Sequence, residues 1–207
     1  MIRLKQIIAF SVIIGILAVF VSVLAAASVS NPVPDTGQTK SYTDIFGEDA
    51  DYTIKPPSYT KLDAQGNALP GTAASWSMVK DNITGLIWEN KTDDGTIHDK
   101  DNTYSWYNAK SQFIANLNTS HFGGFSDWRL PTVKELSAIV NRGTYAPAIN
   151  TTYFPNTIWS TNANYWSSTS CADGTSLYTW CVDFSYGSVS DAKQSLSYYA
   201  RAVHGGQ

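Results

Sequence analysis

The stretch Asp127-Trp128-Arg129-Leu130-Pro131-Thr132-Val133-Lys134-Glu135-Leu136 decides how the rest of the chain is read. Thr132 and Glu135 stand three residues apart just after Pro131. At that spacing a Thr hydroxyl and a Glu carboxylate reciprocally satisfy the first free N–H groups of a helix. Val133, Leu136, Ile139 and Val140 continue as its apolar stripe, and Arg142-Gly143 ends it. Ahead of the cap, two readings stand for Asp127, Trp128 and Arg129. Either Trp128 and Leu130 pack while Arg129 bonds backbone carbonyls or an acid, or the three form a polar contact for a carboxylate or sugar. Glu135 is explained by the cap in both.

Working outward, Ala109, Phe113, Ile114 and Leu117 fall on one helical face of the segment 105–118, and Ser105 caps its start. Earlier, Trp76-Ser77-Met78-Val79-Lys80 alternates apolar and polar, and Leu86-Ile87-Trp88 resumes after an Asn/Gly turn, which predicts two short strands. Beyond Pro147 the pattern turns to short strands at 165–168, 178–184 and 197–203, with a turn or strand at 188–192. Trp180, Val182 and Phe184 share one strand face and are expected in the core. Two helices followed by several short antiparallel strands predict an α+β domain over residues 75–207.

The N-terminus carries an address. Arg3 and Lys5 precede an apolar run from Ile7 to Leu24 and the small residues Ala25-Ala26-Ala27, so residues 1–27 read as a signal peptide. The run also approaches the roughly 20 residues that span a bilayer, so an uncleaved N-terminal membrane anchor is the other reading. Both place residues 28–207 outside the cytoplasm, secreted, periplasmic or on the envelope. Residues 28–74, interrupted by Pro32, Pro34, Pro56, Pro57 and Pro70, read as a Pro/Gly-rich lead segment that partly packs on the domain.

The chain has 14 basic and 17 acidic residues, net −3; without residues 1–27 the counts are 12 and 17, net −5. That sign disfavours nucleic acid or an anionic membrane as partners. Seven Trp and twelve Tyr beside 15% charged residues describe a β-rich, loop-rich extracellular module.

Asp81-Asn82-x-Thr84-Gly85-Leu86-x-Trp88, Gly124-x-x-Asp127-Trp128-Arg129-Leu130-Pro131-Thr132, Tyr165-Trp166-Ser167-Ser168 and Val182-Asp183-Phe184-x-x-Gly187-x-Val189 follow one another in an order found in a bacterial family. From about Thr36 to Gly206 the chain resembles the Lcl C-terminal domain family, named after a collagen-like adhesin. The resemblance implies an exported module related to the C-type-lectin-like and formylglycine-generating-enzyme folds, used in the adhesin for glycosaminoglycan binding. One departure counts against the same ligand here. Members commonly end with a second basic residue before the terminal glycines, whereas this chain reads Ala202-Val203-His204-Gly205-Gly206. Sulfate recognition calls for clustered Lys and Arg.

Candidate sites follow. Ser185, Tyr186, Ser188, Ser190, Asp191, Tyr198 and Tyr199 combine stiff amphipathic rings with small polar groups, the chemistry of adaptable binding loops, and are the expected ligand surface. Asp93, Asp94, Asp99, Asp101 and Asn102 offer the hard oxygens that calcium prefers, yet lack the spacing of an EF-hand loop. A solvated turn is the competing reading. Cys171 and Cys181, outside the cytoplasm, are expected as a disulfide contributing on the order of 2–3 kcal/mol. His98, His121 and His204 are scattered, without zinc spacing.

These readings combine into an expected function: a non-catalytic, adhesin-like domain that recognises a glycan or a cell-surface protein. The alternative is an envelope assembly module forming homo-oligomers through its aromatic patch. A third reading is an oxidative enzyme related to formylglycine-generating enzymes, which requires a reactive Cys171 or Cys181.

Overall fold

The computed structural model describes residues 33–52, 55–172, 175 and 177–206. From residue 33 onward these belong to one compact unit. The expected export segment, residues 1–27, lies outside the described residues, among which no helix is long and apolar enough to cross a membrane.

Strands β1 (Tyr59–Leu62), β2 (Met78–Asp81) and β3 (Ile87–Glu89) come first. The lead segment therefore contributes β1, in register with β2. The β2–β3 turn is closed by Asp81, whose Oδ1 accepts from Ile83 N at 2.8 Å while its Oδ2 accepts from the Thr84 hydroxyl at 2.7 Å. Gly85 there takes a φ of +77°, open to glycine at no steric cost.

After β4 (Thr103–Tyr104) comes the first helical stretch, built of α1 (Trp106–Asn108), a π-helical segment Ala109–Ile114, and α2 (Ala115–Thr119). Ser105 Oγ caps it as the sequence predicts, accepting from Asn108 N. Ala109, Phe113 and Leu117 recur every four residues, a spacing that drifts around an α-helix. The wider π turn offsets that drift, and all three are buried.

The second predicted helix is α3 (Val133–Ala138), and its capping box forms as read: Thr132 accepts from Glu135 N while Glu135 accepts from Thr132 N. It stops earlier than the apolar stripe implied. Val140 forms a β-bridge with Ile149, and Arg142 N donates to Thr36 O at 2.8 Å, so tertiary pairing draws the chain out of the helix.

Strands β5 (Asn164–Ser170), β6 (Tyr178–Asp183), β7 (Ser188–Lys193), β8 (Tyr198–Tyr199) and β9 (Val203–His204) complete the fold. The single strand predicted at 197–203 is thus two, one in each sheet. One sheet runs β1-β2-β3-β9 and the other β4-β8-β5-β6-β7. All pairings are antiparallel except β5 with β8. The architecture is α+β, as expected.

Two apolar clusters form the core. One seats Phe113, Leu117, Trp128 and Trp166 together; the other joins Val79, Trp88, Leu136, Tyr165, Val182, Phe184 and Val203. A fully buried large side chain of this kind contributes about 1.5–3 kcal/mol relative to exposure. Trp128 and Leu130 are buried among them. Arg129 grips Glu135 with two bonds, 2.8 and 2.7 Å, and the Gly205 carbonyl at 2.8 Å, so Arg129 clamps the helix start while Trp128 and Leu130 pack. Burial works against ionised Glu135, but the Arg129 and Thr132 bonds prevail and hold its carboxyl below the usual range.

Candidate functional site

Three loops converge on one residue, Ser185. The β6–β7 turn holds Ser185, whose backbone carbonyl accepts from Ala146 N at 2.7 Å and whose Oγ donates to the Trp159 carbonyl. Next to it, Ala148 N donates to Phe184 O at 2.7 Å, and Arg142 Nη1 to Gly187 O at 3.1 Å. Gly187 has a φ of +73°, and a Cβ there would lie 2.4 Å from Val140 Cγ1, so only glycine fits this turn. The loops held this way leave three aromatic side chains in solvent: Tyr145 at 75%, Tyr186 at 73% and Trp159 at 46% exposure.

The sequence-predicted ligand residues divide. Tyr186, Ser188, Ser190 and Asp191 are exposed. Ser185 is buried, and its role is to pin the loops. Tyr198 and Tyr199 are half-buried against the core, their rings 4.9 Å from Trp166 and 5.4 Å from Tyr165. They belong to packing, because β8 lies inside its sheet between β4 and β5. Trp180, expected inside with Val182 and Phe184, is 37% exposed and lies opposite Asp191 on β7. Tyr145 and Trp159 escaped the sequence reading. The available signal was an aromatic residue set among Gly, Thr, Pro, Ser and Asn in segments with no apolar periodicity.

The acidic loop is already self-satisfied. Asp99 is buried and accepts from the N–H groups of Asp94 at 2.8, Gly95 at 2.6 and Asp101 at 2.8 Å; the bonds to Asp101 and Gly95 hold its carboxyl below the usual range. Asp94 takes the hydroxyls of Thr92 and Thr96. Asn102 donates its amide to Thr96 O at 2.8 Å. Oxygens of Asp93, Asp99 and Asp101 lie within 4.8 Å of one another. The cation they meet is Lys100 Nζ, 2.6 Å from Asp93 and 3.3 Å from Asp101, and the bond to Asp93 raises the Lys100 pKa. Calcium would have to displace that ammonium.

The expected Cys171–Cys181 disulfide is not formed in the structure. Cys181 is a buried thiol with Sγ 3.3 Å from the Ser190 carbonyl. Cys171 N bonds Tyr178 O, three positions from Cys181 along a strand whose side chains alternate between faces. Burial pushes the Cys181 thiol up, away from thiolate chemistry.

A second group went unseen in the sequence. Glu89, Lys91 and Arg201 are buried together where the chain crosses from β8 to β9. Glu89 Oε1 meets Lys91 Nζ at 3.1 Å and His98 Nδ1 at 2.9 Å. Arg201 donates to Glu89 O and to the Thr157 hydroxyl, each at 2.8 Å. Burial opposes ionisation of Glu89, yet Lys91, His98 and Arg201 outweigh it and hold the carboxyl below its ordinary value. Burial lowers the Lys91 and Arg201 values despite Glu89.

A half-open groove of about 630 Å³ lies elsewhere, lined by Val33, Leu86, Val133, Ala138, Val140 and Val189 among others. Its wall also carries Asp35, Lys134, Arg142 and Glu135, the last bonded to Arg129.

The model of the Lcl C-terminal domain matches residues 77–204, and the chain belongs to that family. No curated protein matches the chain at a significant level.

Proposed function

Starting from membership of the Lcl C-terminal domain family, we propose that this chain is an exported, non-catalytic recognition module of lectin-like architecture that binds a carbohydrate or a surface protein. The observation that carries the reading is the trio Tyr145, Trp159 and Tyr186, held in water on three loops laced to Ser185. Large rings in solvent oppose the hydrophobic effect, while fixed loops remove much of the entropy that a partner would otherwise have to overcome. Tyr and Trp give area with few rotors, and the neighbouring Thr144, Ser160 and Ser188 supply hydroxyls.

Two further features support a binding role without catalysis. Glu89 and Lys91 are paired inside the core, Arg201 bonds the Glu89 carbonyl and the Thr157 hydroxyl there, and burial raises the Cys181 thiol pKa. Calcium has no part in this reading, since Lys100 already bridges Asp93 and Asp101.

The test is binding of the full chain to arrayed glycans and to immobilised envelope proteins, comparing wild type with Tyr145→Ala/Trp159→Ala/Tyr186→Ala. Saturable binding that disappears in the triple variant, with an unchanged near-UV spectrum, is expected. Binding that survives the triple substitution would place the site elsewhere.

A further inference from the structure

Resting on the proposed recognition role, we infer that the Tyr145–Trp159–Tyr186 surface is built for an uncharged saccharide and selects against sulfated or carboxylated glycans. The inference comes from the charges of the three loops. Residues 143–147, 156–162 and 184–188 contain no Asp, Glu, Lys or Arg. What they offer instead is three exposed rings and small hydroxyl or amide groups.

The two charged residues that border these loops each make a bond to the turn, and Arg142 is exposed. Arg142 directs Nη1 at the Gly187 carbonyl, which helps hold the turn. Asp183 accepts from Ser185 N at 2.7 Å, closing the same turn from the other side. Recognition of sulfate or carboxylate depends on guanidinium or ammonium groups that can approach the anion directly. None is carried within residues 143–147, 156–162 or 184–188; at their border Arg142 turns one guanidinium nitrogen to Gly187, and the Asp183 carboxylate disfavours an anion.

A pyranose ring suits the surface that remains. The face of a sugar that shows its C–H groups is apolar and flat enough to lie on an aromatic ring, where it buries area and meets the negative π face with weakly positive hydrogens. Its hydroxyls point outward around the rim. The same loops carry Ser160, Thr161, Asn162 and Ser188, exposed and able both to donate and to accept, which an ammonium or a carboxylate cannot do. Ser185 takes no direct part, since its hydroxyl is committed to the Trp159 and Ser160 carbonyls. It acts as a positioning residue: it fixes the Trp159 loop to the Tyr186 turn.

The closing experiment measures binding of the full chain to neutral hexose and N-acetylhexosamine oligosaccharides and to heparin, at low and at high salt. Wild type is compared with Trp159→Ala, Trp159→Phe and Ser185→Ala. Expected are saturable binding to a neutral oligosaccharide, a salt response below about twofold because no ion pair is made, and a loss of about tenfold in Trp159→Ala. Trp159→Phe keeps most of the affinity. Ser185→Ala weakens neutral-glycan binding although it removes no contact group.

Preference for heparin that collapses with salt and also falls in Trp159→Ala would overturn the uncharged-saccharide inference while leaving the aromatic surface as the site. Heparin binding indifferent to Trp159 would overturn both. Binding to no glycan, with capture of an envelope protein that Trp159→Ala abolishes, would overturn the inference and leave the recognition role in place.

Discussion

Residues 89–101 hold two charge clusters that put the same kinds of side chain to opposite uses. Glu89, Lys91 and His98 turn inward and meet Arg201 from the far end of the chain, while Asp93, Asp94, Lys100 and Asp101 gather at the surface around the buried Asp99. The inner cluster is nonlocal, since Arg201 and Glu89 are 112 positions apart. It joins the two sheets at the crossover between β8 and β9. The outer cluster spans nine residues and shapes only its own turn. In the core, Glu89, Lys91 and Arg201 are removed from water, so each of them is indispensable once the others are present. At the surface, water can replace whatever is lost, and each contact is worth little.

The largest effect that tests this contrast is Arg201→Met. It leaves the Glu89 carbonyl and the Thr157 hydroxyl without their donor and the buried charges unbalanced, and should cost about 3–5 kcal/mol in urea unfolding. A loss under about 1 kcal/mol would mean that the inner cluster is no more coupled than a surface pair. Next comes Lys91→Met, expected to cost about 3 kcal/mol alone because it leaves Glu89 short of a cation. Combined with Glu89→Gln, the total should fall well short of the sum of the single losses, since the pair acts as a unit. Simple additivity in the double-mutant cycle would break the comparison.

Acid should reach the inner cluster as well. Both Glu89 and Glu135 have folded values below their unfolded ones, so the stability they add is complete above the ordinary Glu value of about 4.3. That contribution is lost as pH falls through the lower, folded values. Unfolding followed from neutral pH downward should show the decline beginning below that point, and Glu89→Gln should flatten it. The smallest effect belongs to the outer cluster. Lys100→Ala should leave the urea midpoint close to wild type, yet make the melting temperature respond to calcium, which the wild type should not do. A calcium response in wild type would show that Lys100 yields its place.

The proposed recognition surface was half legible. Tyr186, Ser188, Ser190 and Asp191 could be read as a polar aromatic hairpin because a Gly-containing turn between two alternating strands exposes its tip. Tyr198 and Tyr199 carry the same composition and were read the same way, but an interior strand position puts them against Trp166 and Tyr165. Tyr145 and Trp159 sit 26 and more positions before Ser185, in loops whose approach depends on long-range hydrogen bonds. Composition cannot distinguish an exposed loop aromatic from a buried one. Trp180 shows the same limit: strand parity put it beside Val182, but parity gives a face and not whether anything covers it.

What the sequence determined by itself is local. Thr132 and Glu135 specify a helix start, Ser105 another, and Asp81 with Gly85 a hairpin, because each rests on contacts within a few residues of chain. The buried face of the first helical stretch was likewise decided there, since burial of a face follows from its period. Tertiary structure alone decided where α3 stops, that residues 197–203 serve two sheets, that Cys181 is a thiol, and that Arg201 is buried beside Glu89. Each of these depends on which distant group the chain meets, and no spacing in the sequence encodes that meeting.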